Sequence, residues 1–152
     1  MDFQIKQKTL LGILVFFQVI LLSCDLTTPE NRRISLGVRN HSGKHIARTT
    51  LFIQDGEINN NVETGAIKEV MTFYEIESGI STELETINIS QYSNSGEGFF
   101  TAEVVFSSGD TLRNGIGVYK RNRIYTENLP KSYQTMIIDV DSNYGIIGRT
   151  EK

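Results

Sequence analysis

The stretch FFTAEVVFSSGDTLRNGIGVYK, residues 99–120, carries the strongest fold signal in the chain. β-Branched and aromatic residues lie on both sides of a Ser-Ser-Gly-Asp segment at 107–110, whose small and Asx residues are typical of a tight turn. Gly115 and Gly117 interrupt the second half, and glycines inside a strand indicate a β-bulge or the close approach of another backbone. The stretch therefore predicts an antiparallel hairpin with an irregular second strand.

Similar patterns extend outward on both sides of this hairpin. Ile34, Leu36 and Val38 alternate with polar residues and are followed by the turn-forming Asn-His-Ser-Gly of 40–43. Further strand patterns are predicted in segments 45–54, 69–77, 83–90, 132–140 and 144–149. We expect seven or eight strands, turns between them and no amphipathic helix. This pattern predicts an all-β fold, an antiparallel β-sandwich of immunoglobulin-like or transthyretin-like architecture, with a small closed barrel as the alternative.

Composition narrows the class of protein. The chain has 152 residues, of which 39% are hydrophobic and 22% charged, enough for one folded domain plus a processed leader. Its formal net charge of −3 offers no basic field, so nucleic acid is not an expected partner. A single cysteine, with no CxxC pair, predicts neither a disulfide nor a zinc site, and we expect no metal and no cofactor.

Residues 1–23 have the parts of a secretory signal peptide. Lys6 and Lys8 precede the apolar run LLGILVFFQVILL of residues 10–22, in which Gln18 is the only polar residue. As a helix this run would span roughly 20 Å, well short of the ~30 Å hydrocarbon core of a bilayer. We therefore expect a cleavable signal helix rather than a permanent membrane span.

The end of this run, Leu21-Leu22-Ser23-Cys24, resembles the lipobox of bacterial lipoproteins, with an aliphatic residue at −3 and a small one at −1 before the cysteine. The resemblance implies diacylglyceryl transfer to the Cys24 thiol, cleavage before Cys24 and acylation of the new amino terminus. Two or three acyl chains then anchor the protein stably at ~0.8 kcal/mol per buried CH₂. An ordinary signal peptide with an incidental cysteine and a retained membrane anchor are the alternatives.

This resemblance predicts three parts and a location. Residues 1–23 form the lipoprotein signal peptide, 24–32 a polar tether and 33–152 the β-sandwich domain. The mature domain is expected outside the cytoplasm, in the cell envelope, held by its lipid on the inner or the outer membrane of a bacterium. Asp25 resembles the inner-membrane retention signal of enterobacterial lipoproteins. Other bacteria sort lipoproteins by different rules, so the sequence does not decide between the inner and the outer membrane.

Three groups of side chains are candidate sites. His41 and His45 are the only histidines, and we interpret them as turn residues rather than metal ligands. The segment 139–145, DVDSNYG, resembles the start of a calcium loop but lacks the glycine and the glutamate at the required positions, so we predict a hairpin turn. Lys120, Arg121 and Arg123 form a possible patch for an anionic lipid or glycan.

The expected function is a non-enzymatic binding or structural module of the envelope that contacts a protein or a cell-wall component. Sheet edges and loops at one end of the sandwich are the expected contact regions, chiefly loops 56–66 and 91–98. The alternatives are an inhibitor or immunity-type lipoprotein and a small glycan hydrolase that uses two glutamates. Neither a GxSxG nor an HExxH motif occurs in the sequence.

Overall fold

A computed structural model describes residues 33–93, 96–120, 123–125, 135–143 and 145–151. The predicted signal helix, Cys24, the tether and Arg121 lie outside these residues. The described part contains ten strands and two short 3-10 helices, Ile58–Asn60 and Ile89–Gln91. The strands are β1 Arg33–His41, β2 Ile46–Glu57, β3 Val62–Glu63, β4 Lys68–Ile76, β5 Glu85–Asn88, β6 Glu97–Phe106, β7 Thr111–Lys120, β8 Arg123–Tyr125, β9 Thr135–Asp141 and β10 Gly145–Glu151.

The strands form two sheets that pack face to face, so the predicted all-β sandwich is confirmed. The smaller sheet has the order β10-β9-β1-β5. The larger sheet has the order β3-β2-β6-β7-β8, and β4 pairs with β2 on the same edge as β3. Every described pairing is antiparallel except β1 with β9, which run parallel. The strand count exceeds our expectation because β3 and β8, of two and three residues, are too short to show a period.

The core lies between the sheets and follows the predicted alternation where the strands are regular. Every second residue of β6 is buried, as are Ile34, Leu36 and Val38 of β1. Strand β4 is different, because its buried residues are Val70, Phe73 and Ile76 rather than every second one. A register shift opposite Leu51 and Phe52 of β2, together with the positive φ of Glu75 (53°), breaks the alternation that the sequence predicts for this strand.

The two sheets meet along one side of the sandwich, where β7 approaches β10. The register of β6 with β7 jumps from Gly117 to Gly115, which makes Ile116 a bulged residue and confirms the irregularity predicted from the two glycines. At this point a Cβ atom on Gly148 of β10 would lie 1.9 Å from the carbonyl oxygen of Ile116. Asn114 joins the strands directly by donating a hydrogen bond from Nδ2 to the Ile146 carbonyl (2.9 Å).

The sandwich has two distinct ends. Arg33 begins β1 at the end where β5 finishes, and the segment that follows β5 contacts the larger sheet there, through Ser93 on Tyr119 and the Tyr92 carbonyl on Lys68. We call this the Arg33 end. The opposite end, which we call the loop end, carries three connections: 42–45 between β1 and β2, 107–110 between β6 and β7, and the one that begins with Ser142 and Asn143 between β9 and β10. Among the described residues, no helix is long and apolar enough to cross a membrane.

Candidate functional site

A cleft of about 570 Å³ opens at the loop end between the three connections. Its volume falls within the range of small-ligand sites, and loops on a rigid sandwich are common positions for binding residues. We call it the loop cleft. Its lining residues are Ser42, Lys44, Phe106, Asp110, Thr111, Leu112, Asp141, Ser142 and Gly145.

Asn40, the last buried residue of β1, holds one wall of the loop cleft from inside. Its side chain is fully buried and makes four hydrogen bonds. Nδ2 donates to the carbonyls of Lys44 (2.8 Å) and Ile76 (2.9 Å), and Oδ1 accepts from the Ser42 backbone N–H (3.1 Å) and hydroxyl (2.7 Å). Because every buried polar group of this amide is satisfied, the loop 42–45 is fixed before any ligand arrives.

The same local motif occurs a second time. Asn88 Oδ1 accepts from the Ser90 backbone N–H (3.1 Å) and hydroxyl (2.7 Å), the geometry seen at Asn40 and Ser42. Both sites have the sequence Asn-x-Ser, which favours an Asx turn. The Asn-x-Ser sequence therefore indicates an Asx turn at the start of loop 42–45. It does not indicate that Asn40 is buried or that its Nδ2 also donates hydrogen bonds.

Lys44 and Asp110 face each other across the loop cleft. Lys44 Nζ lies 3.4 Å from Asp110 Oδ2, and the same ammonium group sits 5.4 Å from the centre of the Phe106 ring. Ser108 Oγ donates a second hydrogen bond to Asp110 Oδ2 (2.8 Å). These contacts lower the pKa of Asp110 below its ordinary value, the Ser108 hydrogen bond contributing most and Lys44 next. The carboxylate therefore stays ionised and paired in the open cleft.

We expect removal of either partner to raise the pKa of Asp110. Ser108→Ala removes the hydrogen bond with the largest single effect, and Lys44→Met removes both a hydrogen bond and a favourable charge. Since the folded pKa is depressed, the stabilising contribution is present above the unfolded value and is lost as the pH falls through the folded pKa. Carboxyl ¹³C shifts across an acid titration would measure this, and an unchanged Asp110 titration in both variants would contradict the assigned contacts.

His45 connects three elements at the loop end. Its Nδ1 makes a short hydrogen bond with the Ser107 hydroxyl, and its Nε2 lies 3.2 Å from Glu75 Oε2 and 3.7 Å from Glu77 Oε1. Glu75 reaches the ring from a left-handed backbone conformation, which is rare for a non-glycine residue. Sequence reasoning missed this cluster because its members lie far apart along the chain.

The chemistry open to this cluster is limited. A serine, a histidine and a carboxylate in a row have the connectivity of an activated nucleophile. Here, however, the serine is on Nδ1 and the carboxylate on Nε2, the reverse of the usual serine-protease arrangement. The side chains of Glu75 and Glu77 are 72% and 74% exposed, so water competes for both carboxylates. The geometry ties the 107–110 turn to the end of β4.

His41 belongs to a separate cluster on the outer face of the smaller sheet. Asp139 is buried, and Arg149 Nε donates to its Oδ2 at 2.6 Å. His41 Nδ1 is 3.5 Å from Asp139 Oδ1, too long for a strong hydrogen bond, and that oxygen has no other hydrogen-bond partner among the described residues. The two histidines thus contact different clusters, His41 from the end of β1 and His45 from the connection before β2.

The calcium-like segment forms a turn. Asp141 Oδ1 accepts a hydrogen bond from the Asn143 backbone N–H (2.7 Å), and Gly145 follows with a φ of 76°. Asp139 is already bonded to Arg149. Within the described residues, no group of three or more His, Cys, Asp or Glu side chains is arranged to hold a metal ion.

The remaining predicted contact regions lie at the Arg33 end. Lys120 closes β7 there, and its Nζ is 3.5 Å from Glu97 Oε1, whereas Arg121 and the side chain of Arg123 fall outside the description. The region 56–66 contains the end of β2, a 3-10 helix and β3. Of the other predicted loop, 91–98, only residues 91–93 and 96–98 are described, and they lie at the same end.

Comparisons with known proteins leave the family open. No protein-family model matches the chain, and no curated protein matches it. Among solved structures, the chain resembles an NMR structure of a protein from Eubacterium rectale with a TM-score of 0.38 and 12% sequence identity. That match covers 80% of this chain and 90% of the other. A likeness of this degree carries no argument about fold or function.

Proposed function

We propose that this chain is a lipid-anchored protein of a bacterial envelope whose β-sandwich is a non-enzymatic binding module for another protein. The loop cleft is the proposed contact surface, and Cys24 is the proposed anchor. The observation that carries the proposal is the position of the loop cleft relative to the start of the domain: β1 begins at Arg33, and the cleft is at the opposite end.

This arrangement favours binding at the loop end because the anchor would hold the other end toward the membrane. Arg33 follows Cys24 by nine positions in the sequence. A fully extended segment of that length reaches at most roughly 30 Å, about the thickness of one small domain. The loops at the Arg33 end would then face the bilayer, and the loop cleft would face the aqueous compartment. Loops 56–66 and 91–98 are accordingly less favourable contact regions for a protein partner than the sequence indicates.

The rigidity of the loop cleft also favours binding. Loop 42–45 is held by the buried amide of Asn40, and the 107–110 turn is held by His45. A surface that is fixed in advance loses less conformational entropy when a partner binds. The loop cleft combines two apolar side chains, Phe106 and Leu112, with the charged pair Lys44 and Asp110. Protein interfaces also combine apolar contacts with polar and charged residues.

The non-enzymatic part of the proposal is supported by the state of the candidate acids. A glycan hydrolase needs one carboxyl group in an environment that keeps it protonated, usually an apolar pocket. Glu75 and Glu77, the two glutamates that converge on His45, are both mostly exposed to water. Asp110, the acid of the loop cleft, has a lowered pKa, which is the opposite of what a general acid requires.

The anchor is tested with Cys24→Ala. We expect this variant to be lost from the membrane fraction after a carbonate wash, because no thiol is available for lipidation, while the folded domain keeps its resistance to protease. Thr27→Ala, a change within the tether, is the matched control and should remain in the membrane. A Cys24→Ala variant that stays membrane-bound after the wash would refute the lipid anchor.

A further inference from the structure

The outer face of the larger sheet contains a second concave surface, separate from the loop cleft. It is a groove of about 510 Å³ across strands β6, β7 and β8, bordered by the segment around β3. We call it the sheet groove. Its lining residues are Asn61, Glu63, Phe99, Phe100, Thr101, Gly115, Gly117, Val118 and Tyr125.

The groove is open beside Thr101 because the residue that pairs with it on β7 is Gly115, which has no side chain. Gly115 pairs with Thr101 and Gly117 with Phe100, on either side of the bulged Ile116. A Cβ atom added to Gly115 would meet no other atom within 4 Å, so this glycine is not required by packing. The backbone of β7 is left bare to a ligand along this stretch.

The groove combines aromatic and hydrogen-bonding side chains. Phe99 and Tyr125 are partly exposed and flank Val118, with which both are paired in register. They are therefore two strand positions apart, roughly 10 Å. Asn61 and Glu63 are exposed at the border, and Thr101 adds a hydroxyl group. Glu63 is the only charged residue among the described lining residues.

We propose that the sheet groove binds a neutral glycan strand, with sugar rings against Phe99 and Tyr125 and over the bare backbone of Gly115 and Gly117. Aromatic rings offer broad apolar faces to the C–H faces of sugars. Carboxylate, carboxamide and hydroxyl groups such as those of Glu63, Asn61 and Thr101 hydrogen-bond to sugar hydroxyls. The carboxylate of Glu63 disfavours polyanionic glycans by charge repulsion.

An extended peptide fits this surface less well. Peptides commonly bind β-proteins by adding a strand to a free sheet edge. The groove instead crosses β6 and β7, whose residues are already paired with one another, as in Phe99 with Val118 and Thr101 with Gly115. A ligand here must be recognised by side chains and by flat contact. This proposal rests neither on the lipid anchor nor on the loop cleft.

The test is a calorimetric titration of the protein as it is purified from its native cells, in a detergent without a sugar headgroup. The probes are the β-1,4-linked tetramer of N-acetylglucosamine, cellotetraose and a proline-rich decapeptide. We expect saturable binding of at least one of the two glycans and none of the peptide. Tyr125→Ala and Gly115→Phe should each weaken binding by about tenfold or more, as expected for central contact residues.

The matched control is Tyr74→Ala. Tyr74 is a more exposed tyrosine, 66% accessible, on β4 of the same sheet, and its loss should leave glycan affinity unchanged. Thermal unfolding of each variant shows that the fold is intact. The proposal is overturned if neither tetrasaccharide binds, if Tyr125→Ala binds as the unaltered protein does, or if the peptide binds in their place.

Discussion

Gly148→Ala is expected to destabilise the domain by about 3 kcal/mol, which lowers Tm by roughly 10 °C in a domain of this size. The added Cβ would lie 1.9 Å from the Ile116 carbonyl oxygen and 2.9 Å from its carbonyl carbon. Both atoms belong to the backbone, so no side chain can rotate away. Strands β7 and β10 would have to separate, which also strains the hydrogen bond from Asn114 to Ile146.

The matched control for this prediction is Gly115→Ala on the facing strand. Its Cβ would meet nothing within 4 Å, and its φ is not in the positive range. We expect a change within about 0.5 kcal/mol, or a slight stabilisation from the restricted unfolded chain. Thermal and urea unfolding measure both variants. Equal stabilities for Gly148→Ala and Gly115→Ala would show that the sheets do not meet at this position.

Asn40→Asp is expected to cost about 3–5 kcal/mol at neutral pH, because it leaves an unpaired charge in the core. The Nδ2 donors of Asn40 face the carbonyls of Lys44 and Ile76. A carboxylate in this position would turn an oxygen toward both carbonyl oxygens, where Nδ2 now donates. The loop 42–45 would lose its support, and partner binding at the loop cleft should weaken with it.

The loss of stability in Asn40→Asp should depend on pH. Burial raises the folded pKa of the new carboxyl above its unfolded value, so the deficit is largest above the folded pKa and shrinks as the pH falls toward the unfolded value near 4. Asn88→Asp is the matched control, since Asn88 accepts the two Ser90 hydrogen bonds through Oδ1, which a carboxylate retains. Urea unfolding at pH 4 and pH 7 tests this; a deficit that grows on acidification would contradict the account.

The sequence predicts the fold class because most of its strands have one face in the core. The alternation of Ile34, Leu36 and Val38 and the turn at 107–110 depend only on neighbouring residues, and both are found in the structure. The parallel pairing of β1 with β9 could not be predicted, since it joins segments that are far apart in the chain. The alternation predicted for strand β4 also fails, because a bulge and the left-handed backbone of Glu75 change which of its residues are buried.

The candidate sites were less accessible to sequence reasoning. The patterns at 40–43 and 139–145 predict turns, and the structure has short connections there, between β1 and β2 and between β9 and β10. The contacts that shape the loop cleft, such as Lys44 with Asp110 and His45 with Ser107, depend on strand pairing over more than sixty positions. Glycines 115 and 117 predict an irregular strand, but the sheet groove also depends on Glu63 of β3, three positions from β7 in the sheet order.

The proposed function states that the loop end, and not the Arg33 end, contacts a protein partner. Site-specific photo-crosslinking in native membranes tests this with one residue at each end, both exposed: Thr111 in the loop cleft and Gln91 at the Arg33 end. We predict a discrete protein adduct from position 111, identified by mass spectrometry, and none from position 91. An adduct from position 91 with none from position 111 would contradict the proposed orientation and its contact surface.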